Sequence, residues 1–223
     1  MNTHKEEFVQ FMVDCGVLTF GEFTLKSGRI SPYFVNTGKY RKGSQIARLG
    51  EFYGELFLYK YGTDVDVIYG PAYKGIPLVV STATAIYQKH NIDIPYCYNR
   101  KEEKDHGEGG KLIGHQPVDG DCIVIIEDVV TSGKSLRESL TILKASANVV
   151  VPGVIVSVDR KEKGQGTRST TQEMKDELGI DIHSIISSGD ILYYLYSQKN
   201  QGKKEYKELI TRMEEYIDKY GVY

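Results

Sequence analysis

Apolar residues recur along this chain in two rhythms. Over residues 3–15, Phe8, Phe11, Met12 and Cys15 fall at helical spacing, Thr3 and Glu6 make a capping-box pattern, and Gly16 marks the stop. Residues 20–40 read as hairpin-like strands, punctuated by Lys26-Ser27-Gly28 and Ser31-Pro32. A helical face returns over about 43–60, traced by Ile46, Leu49, Phe52 or Tyr53, Leu56 and Tyr59. The rhythm then alternates. Strands are predicted at 65–69, 94–98, 122–126 and 149–158, and helices at about 76–89 and 135–145. The run Cys122-Ile123-Val124-Ile125-Ile126 is continuously apolar, as in a strand buried on both faces of a parallel sheet. Further on, Thr170 and Glu173 make a second capping box with Gly179 as the stop. A short strand covers 182–186, Ser188 or Asp190 caps a helix, and 203–220 reads as a packing helix.

Alternating strands and helices predict an α/β fold with a doubly wound, mostly parallel sheet. Such sheets bind ligands in the loops at the strand C-termini. No internal repeat or low-complexity linker divides the chain. A single domain over residues 1–223 is expected, with about 1–40 forming a small N-terminal hood.

Composition narrows the function classes. Hydrophobic residues make up 40% and charged residues 26%, ordinary for a globular protein. The net charge of -2 gives no global attraction to nucleic acid or to anionic membrane, so an anionic ligand needs a local cluster. Cys15, Cys97 and Cys122 lie far apart and form no CxxC, which argues against a zinc site and fits a reducing compartment. The N-terminus is too polar for a signal peptide, and no apolar run approaches the roughly 18–20 residues of a membrane span. A cytoplasmic location, without nucleic-acid or membrane partners, is the expectation.

The chemistry gathers in loops. The strand 122–126 runs into Glu127, Asp128, Val129, Val130, Thr131, Ser132, Gly133, Lys134 and Ser135, after which a helix begins. Free amides at a helix start favour an anion such as phosphate. Gly133-Lys134-Ser135 imitates the end of a P-loop, but the first glycine of that motif falls at position 128, which is Asp128. Two acids suit hydroxyls, for which they are acceptors, rather than a triphosphate. Acids beside a phosphate cradle therefore fit a ribose phosphate. A second candidate anion site follows another strand, at Tyr69-Gly70-Pro71-Ala72-Tyr73-Lys74-Gly75. Residues 100–111 are charged and glycine-rich, without an apolar period, and read as a mobile loop.

In these segments the sequence resembles the orotate phosphoribosyltransferases of the type I phosphoribosyltransferase family, from about residue 20 to 196 with motifs in family order. No matched position clearly departs from the family pattern; Lys134, where many relatives have a small residue, is a minor oddity. The resemblance implies the type I phosphoribosyltransferase fold and phosphoribosyl transfer to orotate, a reaction of de novo pyrimidine synthesis. It implies Mg²⁺ as cofactor, with no dedicated metal-binding residues nominated in this chain. Phosphoribosyl diphosphate is then expected on Lys26, Tyr73, Lys74, Arg100, Lys101, Lys104, His106 and residues 127–135. Orotate is expected on Tyr33, Phe34, Thr131 and Arg160, the last gripping its carboxylate in bidentate fashion. Lys101, Lys104, His106 and Asp128 are the expected catalytic residues. The basic loop implies a homodimer in which Lys101, Lys104 and His106 enter the partner's site. Two rival readings remain: a phosphoribosyltransferase for a purine or uracil, and a regulator that senses phosphoribosyl diphosphate.

Overall fold

The computed structural model describes residues 3–102, 111–130, 133–164 and 166–222. Helix α1 (Thr3–Asp14) leads into a two-stranded antiparallel sheet, β1 (Leu18–Thr24) and β2 (Ile30–Val35), followed by a 3-10 turn over Thr37–Lys39. Then come α2 (Gly43–Tyr61), β3 (Val67–Gly70), α3 (Gly75–His90), β4 (Tyr96–Asn99), β5 (Leu112–Gly114), β6 (Cys122–Ile126) and α4 (Lys134–Ser146). The chain ends with β7 (Val150–Asp159), α5 (Thr170–Leu178), β8 (Asp181–Ser187), α6 (Ser188–Asn200) and α7 (Tyr206–Tyr220).

Six strands form the central sheet in the order β5-β4-β3-β6-β7-β8. All pairings are parallel except β4 with β5. The expected mostly parallel sheet is thus present. Successive side chains of the middle strands point to opposite faces. Ile68, Val124, Ile126 and Ile155 join a core that includes α2, α3, α6 and α7. Val67, Tyr69, Ile123, Ile125 and Val154 join a second core under α4 and α5. This two-sided burial is why β6 is apolar at every position.

Strand order reverses between β3 and β6. After β3 the chain moves outward to β4 and β5, and after β6 it moves the other way to β7 and β8. A crevice opens at such a switch point, beyond the strand C-termini. The loop after β3 and the loop after β6 both leave the sheet there.

Local details differ from the pattern-based expectations. β5 was not predicted, because Leu112-Ile113-Gly114 is too short to show a period; it forms by returning antiparallel onto β4. The cap of α5 is Ser169, whose side chain accepts from the Gln172 amide at 3.1 Å, so the Thr170–Glu173 box is one residue out of register. Likewise α6 is capped by Ser187 rather than Ser188 or Asp190, with Asp190 returning a bond to the Ser187 amide at 2.7 Å. The last helix begins at Tyr206 rather than at 203.

Candidate active site

The acid pair stands where β6 ends, and β7 holds its backbone. The Glu127 amide donates to the Ile155 carbonyl at 3.0 Å. The Ser157 amide and hydroxyl both donate to the Asp128 carbonyl, at 3.0 and 2.7 Å. Beneath them, the hydroxyl of fully buried Tyr53 donates to the Glu127 carbonyl at 2.8 Å. With both carbonyls fixed, the two side chains leave the sheet in defined directions.

Their surroundings divide them chemically. Glu127 accepts from the Ser135 hydroxyl at 2.7 Å and from the Asp128 amide at 3.0 Å. Burial outweighs these bonds and, with the neighbouring Asp128 charge, pushes the Glu127 pKa up to about 7. Burial also pushes Asp128 upward, but more is gained from Lys74 and Thr37. Lys74 Nζ donates at 2.8 Å and the Thr37 hydroxyl at 2.7 Å, both to Oδ2, while the Val129 amide reaches Oδ1 at 2.8 Å. The net effect lowers the Asp128 pKa. One acid is thus a firm anion and the other titrates near neutrality.

A stability prediction follows. Glu127 has an ordinary value of 4.5 and a folded value of about 7. Between them the folded chain binds more protons than the unfolded one, so stability falls as pH rises and the cost is complete above the folded value. In the ligand-free chain, urea unfolding at about pH 5 and about pH 8 should show a loss of roughly 1–3 kcal/mol from this group. Glu127→Gln should remove that part of the slope. An identical slope in the variant would contradict the shifted titration.

A cavity of about 410 Å³ opens beside the pair, lined by Glu127, Val129, Val130, Gly133, Lys134, Ser135 and Lys101. Helix α4 begins at its edge, so the unpaired amides of its first turn are available to an anion. Gly133 takes a φ of 71°, a left-handed conformation that favours glycine at this turn. Thr131 and Ser132 lie outside the described residues, as do Lys104 and His106.

The second loop is built by close approach. A Cβ on Gly70 would meet the Gly75 carbonyl oxygen at 2.2 Å, so β3 can run directly against the start of α3 only with glycine there. The Ala72–Tyr73 peptide is cis. The Ala72 amide donates to Asn99 Oδ1 at 2.8 Å, and the Tyr69 hydroxyl donates to the same atom at 2.9 Å. Asn99 also donates to the Arg100 carbonyl at 3.2 Å, joining this loop to the root of the basic one. Tyr73 is 70% exposed. Lys74 crosses to the acid pair, and a smaller cavity of about 150 Å³ lies between Lys74, Thr37 and Asp128.

The remaining predicted residues fall in three places. Lys26 is exposed at the β1–β2 turn. The backbone of Arg100 is tied to Lys111 through a 2.7 Å hydrogen bond. Tyr33 and Phe34 point to opposite faces of β2. Tyr33 is fully buried, with Arg160 lying 4.1 Å over its ring, so it offers no open face to a planar ligand. Phe34 is 38% exposed and stacks on Phe23 at 5.5 Å. Arg160, at the end of β7, is mostly buried and donates from Nε to Glu162 at 2.6 Å. Thr37, Tyr53, Asn99 and Ser157 are not marked as site residues by the sequence. Each acts across a long chain separation, and only the paired Ser157–Asp128 register would have hinted at one of them.

At the switch point the acid pair thus stands between the start of α4 on one side and a lysine-bearing loop on the other. Residues 41–188 match the family model of the phosphoribosyl transferase domain. The orotate phosphoribosyltransferase of Clostridium botulinum (strain Alaska E43 / Type E3) is 48% identical over 222 residues, covering 99% of each chain. That of Lachnoclostridium phytofermentans is 49% identical over 223 residues, covering 100% of this chain and 99% of its own. The chain belongs to the orotate phosphoribosyltransferases. Its fold superposes on the crystal structure of the Francisella tularensis orotate phosphoribosyltransferase with a TM-score of 0.83 and 36% identity, covering 97% of this chain and 100% of that one.

Proposed function

We propose that this chain transfers the 5-phosphoribosyl group from 5-phospho-α-D-ribose 1-diphosphate to orotate, giving orotidine 5′-phosphate and diphosphate. The observation that carries this reading is the pairing of Glu127 and Asp128 with the open first turn of α4. Residues 129–135 receive the 5′-phosphate, and the two carboxylates accept from the ribose 2′- and 3′-hydroxyls. Thr131 and Ser132 belong to this cradle by sequence position. Diphosphate lies on the 71–74 loop. To reach it, Lys74 exchanges its 2.8 Å bond with Asp128 for the diphosphate oxygens. Tyr73, Lys26 and Arg100 add to the same region.

Displacement at the anomeric carbon passes through a state with positive charge on the ribose and growing negative charge on the leaving diphosphate. Lys74, Lys101 and Lys104 stabilise that leaving charge, and His106 adds a charge or a proton. Closing the basic loop keeps water from the reactive carbon. The oxygen donors Glu127 and Asp128, each lining an opening, fit a hard cation that keeps several of its waters. Asp128 would hold Mg²⁺ through water, and the ion would neutralise charge on the diphosphate. Orotate lies between Phe34, Thr131 and Arg160, with the guanidinium on its carboxylate.

The working unit is a homodimer in which the basic loop of one chain serves its partner. Within the single chain, Lys101 also borders its own cavity, so subunit mixing, described below, separates the two arrangements. Among the described residues no helix is long and apolar enough to cross a membrane. The cytoplasm is the proposed location.

Orotate absorbs in the ultraviolet, and its band shifts on becoming the nucleotide. Adding phosphoribosyl diphosphate and Mg²⁺ to the chain with orotate should lower the absorbance at the long-wavelength edge of that band. Folded protein that leaves the spectrum unchanged would overturn the substrate assignment, and a panel of purines and uracil would then identify the base.

A further inference from the structure

The carboxylate-binding arginine is not free-standing. Its Nε donates to Glu162 Oε1 at 2.6 Å, and its Nη2 donates to the Ser31 hydroxyl at 2.9 Å and to the Tyr216 hydroxyl at 3.3 Å. Among the described residues Nη1 carries no hydrogen bond. The Nε and Nη2 atoms of the guanidinium are thus held by the protein. Glu162 does more than touch Arg160. Its Oε1 also accepts from the Tyr216 hydroxyl at 2.7 Å, and its Oε2 accepts from Arg29 Nη1 at 3.1 Å. The carboxylate is largely buried, and so are both arginines.

Its backbone is pinned as well. Glu162 forms an antiparallel bridge to Gly221, the Lys163 amide donates to the Tyr220 carbonyl at 2.8 Å, and the Val222 amide donates to the Lys161 carbonyl at 2.8 Å. The loop after β7 is thereby zipped to the end of α7, the helix that supplies Tyr216. Rings complete the seat: Tyr33 below Arg160, and Tyr220 against Arg29 at 5.0 Å.

We propose that Glu162, backed by Tyr216, is a positioning residue that orients Arg160 for the substrate carboxylate. Two features of the cluster support this. First, every acceptor of Glu162 is matched by a donor from a different element: β7's end, the β1–β2 turn and α7. A three-way clamp fixes direction, which a single ion pair on the surface does not. Second, Arg160 and Arg29 against Glu162 leave one net positive charge, matching one substrate carboxylate. The inference rests on the reading that the base carries that carboxylate.

The direction of the effect separates positioning from simple charge. Were Glu162 only a rival anion, its removal would tighten orotate binding, because Arg160 would be freed. Positioning requires the opposite. In Glu162→Gln an amide NH₂ replaces one of the two oxygens and faces a donor, so the clamp opens. The KM for orotate should rise by about 10- to 100-fold, the range for losing a charged hydrogen-bond partner. The KM for the donor should stay unchanged, and kcat should change far less than the orotate KM. Tyr216→Phe keeps the ring and removes only the hydroxyl; it should raise the same KM less, again without moving the donor KM. Glu162→Asp should recover part of the loss.

Steady-state kinetics of these variants and of the parent chain, following orotate absorbance, make the test. A purely structural defect would lower kcat through loss of active protein while leaving both KM values alone. That result, an orotate KM that falls or stays level, or a parallel rise in both KM values would overturn the inference. A parent chain that consumes no orotate would instead sink the reaction itself.

Discussion

Lys101→Ala should lower kcat by about 10²–10³-fold, the effect of deleting one electrostatic donor to a developing charge, while binding of phosphoribosyl diphosphate largely survives. The reason lies in timing. In the proposed binding mode, ground-state diphosphate has other partners on the 71–74 loop and in Lys74, and the 5′-phosphate has the α4 amides. Lys101 is exposed, and in the proposed dimer its charge acts at the partner's diphosphate, where it matters most as the leaving group departs. A group that acts only late changes kcat rather than ground-state affinity. Steady-state rates alongside a calorimetric donor titration would measure both. A near wild-type kcat would remove Lys101 from the catalytic set. The same variant tests the shared site. Mixed with Arg160→Ala chains, it should regain activity, because a heterodimer holds one intact site. No recovery, with subunit exchange verified, would place Lys101 in its own chain's cavity.

Asp128→Asn should reduce kcat/KM for the donor by about 10- to 100-fold, the consequence of replacing a charged acceptor. The carboxylate is held low in pKa by Lys74, Thr37 and the Val129 amide, so it is a full anion over the working range. Asparagine keeps the shape and one acceptor oxygen but presents donor hydrogens. Those hydrogens would face Lys74 or Thr37, both of which are donors to this oxygen. Lys74 would then lose the partner that holds it across the site. Donor KM and kcat measured together should both worsen. Unchanged kinetics would show that the ribose hydroxyls are held elsewhere.

The parts legible in the sequence were those made by neighbours in the chain. The strand Cys122–Ile126 announced itself because both of its faces are buried, and the acid pair is legible because the residues are consecutive. β3, α3, β4, α4 and β7 followed from period and punctuation, within a few residues at their ends. What sequence could not show depends on closure of the fold. Thr37 meets Asp128 across 91 positions, Arg29 meets Glu162 across 133, and Lys74 meets Asp128 across 54. None of these pairs has a local pattern, since each exists only because two loops share the switch point or the β1–β2 turn meets the loop after β7. Arg160 was visible as a cation at a strand end, yet its orientation comes from Glu162 and from a C-terminal helix read as mere packing. Tyr33 illustrates the converse. Adjacent aromatics suggested a shared wall, but strand alternation sends Tyr33 into the core and Phe34 outward.

The central claim is that the turn after β6 seats a phosphorylated ribose. Crystals of the chain grown with phosphoribosyl diphosphate and Mg²⁺ would test it most directly. The account predicts the 5′-phosphate on the amides of residues 129–135, both ribose hydroxyls on Glu127 and Asp128, and Lys74 drawn from Asp128 onto the diphosphate. A donor bound elsewhere, with those carboxylates turned away from an empty turn, would contradict it.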